Sequence, residues 1–267
     1  MKTYKTEITL NKNNRGCYIL DTIKGCSVCH KEKPLGCYDN CYAKNIAYRY
    51  GFDFSNPIKR GFNYSNNQLY ILNFYDTKHE NNIIEQIKKA DTPFIRIGEM
   101  GDPSENWEHT INICKIISLS EKPIVIITKH WKKITDKLLQ DISKLNICIN
   151  TSISALDSNT EIKHRLIQYN RLKKYCKSVL RIVSCDFNKN NIRGSLKYGI
   201  QRILFKNENT IDTIFRPNRN NKLVLNKVIN IEKTKFLKSE IIVSRFNNDT
   251  YFGNCNDCPD MCGINIK

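Results

Sequence analysis

The side chains of this 267-residue sequence with the clearest capacity for chemistry are its twelve cysteines, seven of which crowd into two short stretches. The first stretch, GCSVCHKEKPLGCYDNCYAKNIAYRYG (25–51), holds Cys26, Cys29, Cys37 and Cys41. Thiolates are the usual protein ligands of iron–sulfur clusters, and three cysteines on one loop suffice for three irons of a four-iron cluster. The pattern predicts a [4Fe-4S] cluster on Cys29, Cys37 and Cys41 with one open iron, and Cys26 stands as an alternative to Cys29.

An open iron can be chelated by the amino and carboxylate groups of a bound cofactor, which makes this cluster type suited to catalysis. A structural zinc site prefers four closed ligands. Cys26 and Cys29 form a CxxC pair, so zinc is an alternative for this stretch. Tyr42 directly follows the last cysteine, where it would either shield the cluster from water or pack as an ordinary helix residue.

The second stretch is the tail FGNCNDCPDMCG (252–263), which contains Cys255, Cys258 and Cys262. It has too few apolar residues to build a core, so metal ligation is the predicted way to order it. Three thiolates leave a closed site one ligand short, and Cys26 or Cys17 would supply the fourth. Zinc and a second iron–sulfur cluster are both consistent with this pattern, and a disordered redox-sensitive tail is the third alternative.

The composition indicates where these cysteines work. A signal peptide or a membrane span needs an apolar stretch that this sequence lacks, so we expect a cytoplasmic protein without a membrane partner. In a reducing cytosol metal or redox chemistry is a better explanation of many cysteines than disulfides. Cys114 and Cys148 sit among isoleucines and are expected to be ordinary buried residues.

The formal net charge of +17 favours a polyanionic partner such as nucleic acid. The chain is also rich in Asn, Lys and Ile together, and a compositional bias at tolerant surface positions would give the same charge. Both explanations remain open at this point.

The elements that must position the cysteines alternate between strands and helices, which predicts parallel βαβ units. The predicted strands are 16–22, 93–100, 123–129, 146–154, 178–187 and 199–206. One helix is predicted to begin near Tyr42, and three others are predicted over 105–120, 134–145 and 160–175. The segment 207–250 stays unassigned. A closed eight-stranded barrel usually takes about 250 residues of βα units. We therefore predict an α/β fold, a partial (β/α)6 TIM-type barrel over residues 1–250, followed by a cysteine-rich metal-binding tail over residues 251–267.

Residues at the carboxyl ends of barrel strands point into the active site. Thr128, Lys129 and Ser152 occupy such ends, where hydroxyls would bind a ribose and the lysine a carboxylate or phosphate. The turn Gly98-Glu99-Met100-Gly101-Asp102-Pro103 occupies another, and its glycines would allow the backbone to approach a ligand closely. Asp102 is alternatively a cap for the helix that follows. His109 and His164 fall on predicted helices and are expected at the surface.

Taken together, these features resemble the radical S-adenosylmethionine superfamily, and most closely the phage gene product 88 family of radical-SAM-like iron–sulfur proteins. The residues that carry the resemblance are Cys29, Cys37, Cys41-Tyr42-Ala43, RIGEMGDPS (96–104), IITK (126–129) and CNDCPDMC (255–262). They are spread over most of the chain.

The resemblance implies an enzyme that uses a [4Fe-4S] cluster and S-adenosylmethionine to form a 5′-deoxyadenosyl radical. It implies that Glu99 and Asp102, in the turn that begins with Gly98 and contains Gly101, receive the methionyl amino group, and that Lys129 matches the family's Thr-Lys step. It also implies an electron donor such as a flavodoxin or ferredoxin. The alternative function is a non-catalytic nucleic-acid-binding protein stabilised by zinc or an iron–sulfur cluster.

Overall fold

The computed structural model describes residues 7–27, 41–62, 78–154, 157–184, 210–211, 256 and 261–265. The strands in these ranges are β1 (Asn11–Lys12), β2 (Tyr18–Ile19), β3 (Ile23–Lys24), β4 (Ile58–Lys59), β5 (Ile95–Ile97), β6 (Ile124–Thr128), β7 (Ile147–Ser154), β8 (Lys177–Ser184) and β9 (Thr210–Ile211). The helices are α1 (Tyr42–Arg49), α2 (Lys78–Lys89), α3 (Trp107–Ile117), α4 (Asp136–Ile142) and α5 (Asn159–Leu172), with short 3-10 helices at Pro103–Asn106, Ser118–Ser120 and Met261–Gly263.

Among the described residues, seven strands form one sheet in the order β1-β2-β5-β6-β7-β8-β9, and β3 and β4 form a separate antiparallel pair. Every pairing from β2 to β9 is parallel, and only β1 joins its neighbour antiparallel. Helices α3, α4 and α5 connect successive parallel strands, as the alternating sequence pattern predicted. The chain is therefore a mixed α/β protein with a mostly parallel sheet.

Both faces of the central strands are buried, which explains their nearly continuous apolar sequences. Ile124 of β6 pairs with Ile95 and Ile147 on the neighbouring strands, and all three pack against the layer formed by α2, α3 and α4. The next residue, Val125, pairs with Cys148 and points to the opposite face. We call that opposite face the tail side, because Met261, Cys262 and Ile264 of the tail pack there.

Polar caps fix where the crossover helices begin. The Asn106 side chain accepts a hydrogen bond from the His109 N–H at the start of α3, and the Thr135 side chain does the same for Leu138 in α4. Helix α5 begins with a capping box in which Ser158 and Glu161 satisfy each other's backbone N–H groups. These caps set the ends of the loops that follow β5, β6 and β7.

The predicted strands 16–22, 93–100, 123–129 and 146–154 are confirmed with shorter bounds, and 178–187 is confirmed as far as Ser184. The predicted strand 199–206 lies outside the described residues, whereas β9 falls in the segment that the sequence left unassigned. The three predicted crossover helices and the helix at Tyr42 are confirmed. Helix α2 was missed, although Ile83, Ile84 and Ile87 provide the expected buried spacing.

No helix in the described part of the chain has both the length and the apolar character that crossing a bilayer requires.

Candidate functional site

Two cysteines of the first stretch, Cys26 and Cys41, belong to one hydrophobic cluster at the carboxyl ends of the strands. Met100, which follows β5, and Trp131, which follows β6, pack in the same cluster. Cys26 is buried, and Cys41 is half-buried directly before the first residue of α1. Loops that follow parallel strands meet at one edge of the sheet, and this is where open α/β sheets bind ligands.

The backbone fastens the first cysteine stretch to the glycine turn. Gly25 donates its N–H to the Met100 carbonyl at 3.0 Å, and Gly25 and Gly101 form a parallel β-bridge. A Cβ on Gly101 would stand 2.8 Å from the Gly25 carbonyl oxygen, closer than real contacts allow. Gly101 is therefore needed so that the two segments can approach each other.

A buried carboxylate holds the residue after Cys26. Glu105 accepts hydrogen bonds from the Ser27 N–H at 2.7 Å and from the Ser27 hydroxyl at 2.8 and 2.9 Å. Lys132 lies 3.7 Å from the same carboxylate and donates to the Glu105 carbonyl at 2.6 Å. The beginning of the cysteine loop is thus fixed to the 3-10 helix that follows the glycine turn. Nothing in the sequence distinguished this role of Glu105.

Asp21 organises the backbone of the glycine turn. Its carboxylate accepts the consecutive N–H groups of Gly98 at 3.2 Å, Glu99 at 2.8 Å and Met100 at 3.0 Å. Burial raises the pKa of Asp21, while these hydrogen bonds and the charge of Arg60 act in the opposite direction. Sequence reasoning missed Asp21, although an acid directly after the apolar residues of a predicted strand is a signal for such a position.

Gly98 has a left-handed backbone conformation with φ of +102°, which favours glycine. A Cβ at this position would collide with the Ile127 carbonyl oxygen and stand 3.1 Å from Pro103 Cδ. The close approach that glycine permits here is therefore to β6 and to the turn itself.

Glu99 is the half-buried carboxylate at the centre of the turn. Burial raises its pKa, the nearby charge of Asp21 raises it further, and Arg96 lowers it. Asp21 thus holds the backbone of Glu99 through a hydrogen bond and also acts on the charge of its side chain.

Asp102 fixes the far end of the turn. Its Oδ1 accepts from the Ser104 N–H at 2.9 Å, the Ser104 hydroxyl at 2.6 Å and the Thr128 hydroxyl at 2.7 Å. Its Oδ2 accepts from the Lys129 N–H at 2.7 Å. The capping alternative is therefore confirmed for Asp102, which joins the turn to the end of β6. Its predicted hydrogen bond to a cofactor stays a prediction.

Lys129 belongs to a buried ionic network. Its Nζ lies 2.9 Å from Asp157, and Arg165 forms an ion pair with the same carboxylate. Burial alone would raise the pKa of Asp157, but the charges of Lys129 and Arg165 hold it below its ordinary value. The Arg165 guanidinium lies 4.6 Å from the centre of the Trp131 ring and the Lys129 ammonium lies 5.9 Å from it. Through Trp131 the network thus borders the hydrophobic cluster that contains Cys26 and Cys41.

His130 is a fully buried histidine in a left-handed conformation with φ of 51°. Its Nε2 lies 2.9 Å from the Thr151 hydroxyl, and its ring is 5.4 Å from that of Trp107. Burial lowers the pKa of His130 to about 3, and the charges of His164 and Arg165 add to the effect. The imidazole is therefore neutral at physiological pH and acts as a packing and hydrogen-bonding group.

The expected surface positions of two other histidines were wrong in different degrees. His109 is buried, with Nε2 2.7 Å from the Arg60 carbonyl, and burial lowers its pKa. His164 is half-buried, with Nε2 2.8 Å from the His130 carbonyl. Both side chains bind loop backbone, which a helical pattern does not reveal.

The other predicted cofactor residues lie at the same edge or near it. Tyr42 is the first residue of α1, directly after Cys41. Ser152 is buried on the tail-side face of β7, two strands away from β5, and pairs with Arg181 of β8. The strand register therefore separates Ser152 laterally from the glycine turn.

The described part of the tail lies at the opposite edge of the sheet. The Asn150 amide donates to the Cys262 carbonyl at 2.8 Å, and Cys148 Sγ lies 3.5 Å from the same oxygen. Cys262 shares its apolar cluster with Cys17 and Cys148, whereas Cys26 belongs to the other cluster. Of the two residues expected to complete a tail metal site, only Cys17 is therefore placed with Cys262.

The expected burial of Cys114 and Cys148 is confirmed. Burial raises the pKa of both thiols, to about 12 for Cys148. Four predicted metal ligands, Cys29, Cys37, Cys255 and Cys258, lie outside the described residues. Within the described ranges, no three side chains of Cys, His, Asp or Glu come together as a metal site.

Comparison with known proteins gives limited results. No protein-family model matches the chain, and no curated protein sequence matches it. Among solved structures, the chain is similar to a mutant spore photoproduct lyase with bound AdoMet and dinucleoside spore photoproduct, with a TM-score of 0.45 and 12% identity over 90% of this chain and 69% of that chain.

Proposed function

We propose that this chain is a radical S-adenosylmethionine enzyme on a partial (β/α)6 barrel, acting on an unidentified substrate. The observation that carries the proposal is the joining of the first cysteine stretch to the glycine turn. Cys26 and Cys41 share one hydrophobic cluster with Met100, and Gly25 forms a parallel β-bridge with Gly101. Both lie at the carboxyl edge of a parallel sheet, the edge at which barrel enzymes carry out their chemistry.

The donor set fits a four-iron cluster. We assign Cys29, Cys37 and Cys41 as its ligands. Cys26, which is buried in the same hydrophobic cluster as Cys41, is the alternative to Cys29. The spacing of x7 and x3 residues is wider than the CxxxCxxC of most of the superfamily, so the metal content is the first thing to measure. When bound, the cluster and S-adenosylmethionine would supply the electron transfer and radical chemistry.

The residues of the glycine turn would orient the cofactor. We assign Glu99 as the acceptor for the amino group, because its carboxylate is half-buried and its backbone is held by Asp21. Asp102, whose two oxygens already accept four hydrogen bonds, keeps the turn in register with β6. Lys129 and Ser152 remain candidates for the cofactor's carboxylate and ribose, and Tyr42 for shielding the cluster. The electron donor would be a flavodoxin or ferredoxin.

At the tail we propose a second metal, zinc or an auxiliary cluster, on Cys255, Cys258 and Cys262. Cys17 is the better candidate for the fourth ligand, because it lies in the hydrophobic cluster that contains Cys262. Iron or zinc lost from a Cys262→Ala variant, with the first site still loaded, would support this assignment.

The decisive experiment is anaerobic reconstitution with iron, sulfide and zinc quantified, followed by electron paramagnetic resonance of the reduced protein with and without S-adenosylmethionine. We expect about four irons per chain, or eight with a second cluster, and a spectrum that changes when the cofactor binds. Zinc without iron would contradict the radical chemistry and favour the alternative of a metal-stabilised nucleic-acid-binding protein.

Glu99→Gln isolates the turn from the cluster. Loss of a hydrogen bond to a charged group should weaken S-adenosylmethionine binding by about 10- to 100-fold, while the iron content stays unchanged. Glu108→Gln is the matched control, because Glu108 is an exposed acid on α3. Equal affinities for the two variants would remove Glu99 from the site.

A further inference from the structure

Helix α5 carries a buried cation, Arg165, of which only 1% is exposed to solvent. Its Nε donates to the Lys129 carbonyl at 2.7 Å, its Nη1 forms an ion pair with Asp157, and its Nη2 lies 3.4 Å from Glu161 Oε1. These partners lie on the loops after β6 and β7 and on the first turn of α5. A guanidinium is planar with its donors in fixed directions, so three contacts also fix the orientation of its flat face.

The flat face of Arg165 meets the ring of Trp131. The guanidinium carbon lies over that ring, 4.6 Å from the ring centre. The backbone of Trp131 is fixed separately, because its N–H donates to the Ser104 hydroxyl at 2.8 Å. Ser104 in turn donates its hydroxyl to Asp102 of the glycine turn at 2.6 Å. Trp131 is therefore held to the glycine turn through its backbone and to α5 through its ring.

The Trp131 side chain packs against the hydrophobic cluster that contains Cys26. Cys41 and Met100 pack against the same cluster. Cys26 is buried, whereas Trp131 is half-buried. The ring therefore forms part of the boundary between this hydrophobic cluster and the solvent.

The position of this ring matters for a metal held by the neighbouring cysteines. The hydrophobic shell of a metal site controls how much water reaches the metal, and with it the reduction potential of an iron–sulfur cluster. A cation–π contact restrains the ring, and such a contact is stronger when the cation is desolvated. The bonds of Arg165 to Lys129 and Asp157 keep the guanidinium against the ring. The ionic network thus sets the position of Trp131 together with apolar packing.

We infer that Trp131 closes one side of the cysteine site against water and that Arg165 is a positioning residue that holds the ring there. The inference rests on the proposed function, because the iron–sulfur cluster is what the ring would protect. It gives the buried ionic network a role at the site beyond the stability of the fold.

The first test uses the full-length chain without metal and measures how fast iodoacetamide alkylates Cys26, followed by mass spectrometry. Trp131→Ala should raise this rate by about tenfold or more, because the cysteine loses part of its cover. Trp131→Phe keeps an aromatic ring and should stay close to the parent rate. Cys114 is the internal control, because it is fully buried beside the helices and its alkylation reports general unfolding.

A second variant tests the positioning by Arg165. Arg165→Lys keeps the charge opposite Asp157, but a single ammonium cannot reproduce the planar fork. The Cys26 rate should rise by about 2- to 30-fold, which corresponds to the loss of one cation–π contact. Arg171→Gln is the matched control, because Arg171 lies on the same helix and pairs with Asp136 at 2.6 Å. It should leave the Cys26 rate unchanged.

The same variants are then compared after loading with iron and sulfide. Trp131→Ala and Arg165→Lys should hold iron about 10- to 100-fold less tightly against a ferrous chelator, as is typical when an outer residue of a metal site is lost. If the parent chain takes up no iron, the proposed function fails, and the alkylation rates still decide where Trp131 lies and what holds it.

Three results would overturn the inference. The first is an unchanged Cys26 rate in either Trp131→Ala or Arg165→Lys. The second is a Cys114 rate that rises together with the Cys26 rate, because Arg165 would then only stabilise the fold. The third is equal retention of iron by the parent chain and both variants.

Discussion

The two edges of the sheet hold cysteines in different ways. At the carboxyl edge, Cys26 and Cys41 sit beside a turn whose backbone is fixed by the carboxylates of Asp21 and Asp102. At the amino edge, Cys17 and Cys148 are packed among apolar residues, and burial raises the pKa of Cys148 to about 12. The same side chain thus lies beside polar groups at one edge and among apolar residues at the other. The polar groups around a cysteine distinguish the two cases better than the cysteine itself.

The largest expected effect comes from removing one cysteine at each edge. Cys41→Ala should abolish the iron of the first site, because the assigned ligand set of Cys29, Cys37 and Cys41 is left with two thiolates. Cys148→Ala should keep its iron and lower the free energy of unfolding by about 1–2 kcal/mol through a small cavity. Iron analysis and urea denaturation of the two variants check this. Equal iron in both would break the distinction between the edges.

The next effect concerns the polar frame of the carboxyl edge. Asp21→Ala removes the acceptor of three consecutive N–H groups. Leaving these donors without a protein partner should cost about 2–4 kcal/mol of unfolding free energy. Asp53→Ala is the control, because Asp53 also accepts a backbone N–H but is exposed, and it should cost about 0.5–1 kcal/mol. Similar losses for the two variants would show that the glycine turn does not depend on Asp21.

The pH dependence of stability should also come from the carboxyl edge. Burial depresses the pKa of His130 from 6.5 to about 3, so the unfolded chain takes up the proton first as the pH falls. The stability that depends on a neutral His130 is therefore complete above pH 6.5 and is lost progressively toward pH 3. At pH 5 the loss should be about 2 kcal/mol.

His130→Asn tests this dependence while respecting the backbone, because asparagine tolerates the left-handed conformation of this residue. Urea denaturation at pH 7 and pH 5 should show that the variant loses about 2 kcal/mol less than the parent chain over this interval. An identical loss in both proteins would assign the pH dependence to other groups. His109 is the first of these to test, because burial lowers its pKa as well.

The sequence predicted the central strands and crossover helices because continuous runs of β-branched residues, and apolar residues at three-to-four spacing, directly indicate which side chains are buried. It also identified the glycine turn and both cysteine stretches, since their spacing is local. It did not reveal Asp21, which acts on residues 77 to 79 positions away, or Glu105, which holds Ser27 across 78 positions. It gave the capping role of Asp102, which the structure confirms, only as an alternative to cofactor binding. Long-range hydrogen bonds leave no local pattern, and these were the contacts that distinguished the two edges.

The smallest effect sharpens the comparison at the amino edge. Asn150→Ala removes the hydrogen bond from its amide to the Cys262 carbonyl, which should cost about 1 kcal/mol locally. Hydrogen exchange in the peptide 261–265 should then become about fivefold faster, with Ser143→Ala at the exposed end of α4 as the control.

The metal content decides the size of this last effect. If a metal on the tail cysteines orders the segment, the acceleration caused by Asn150→Ala should shrink in the loaded protein and return when a chelator removes the metal. If apolar packing against Cys17 and Cys148 is sufficient, the acceleration should be the same in both states. The second result would make the amino edge a packing site throughout and restrict metal chemistry to the carboxyl edge.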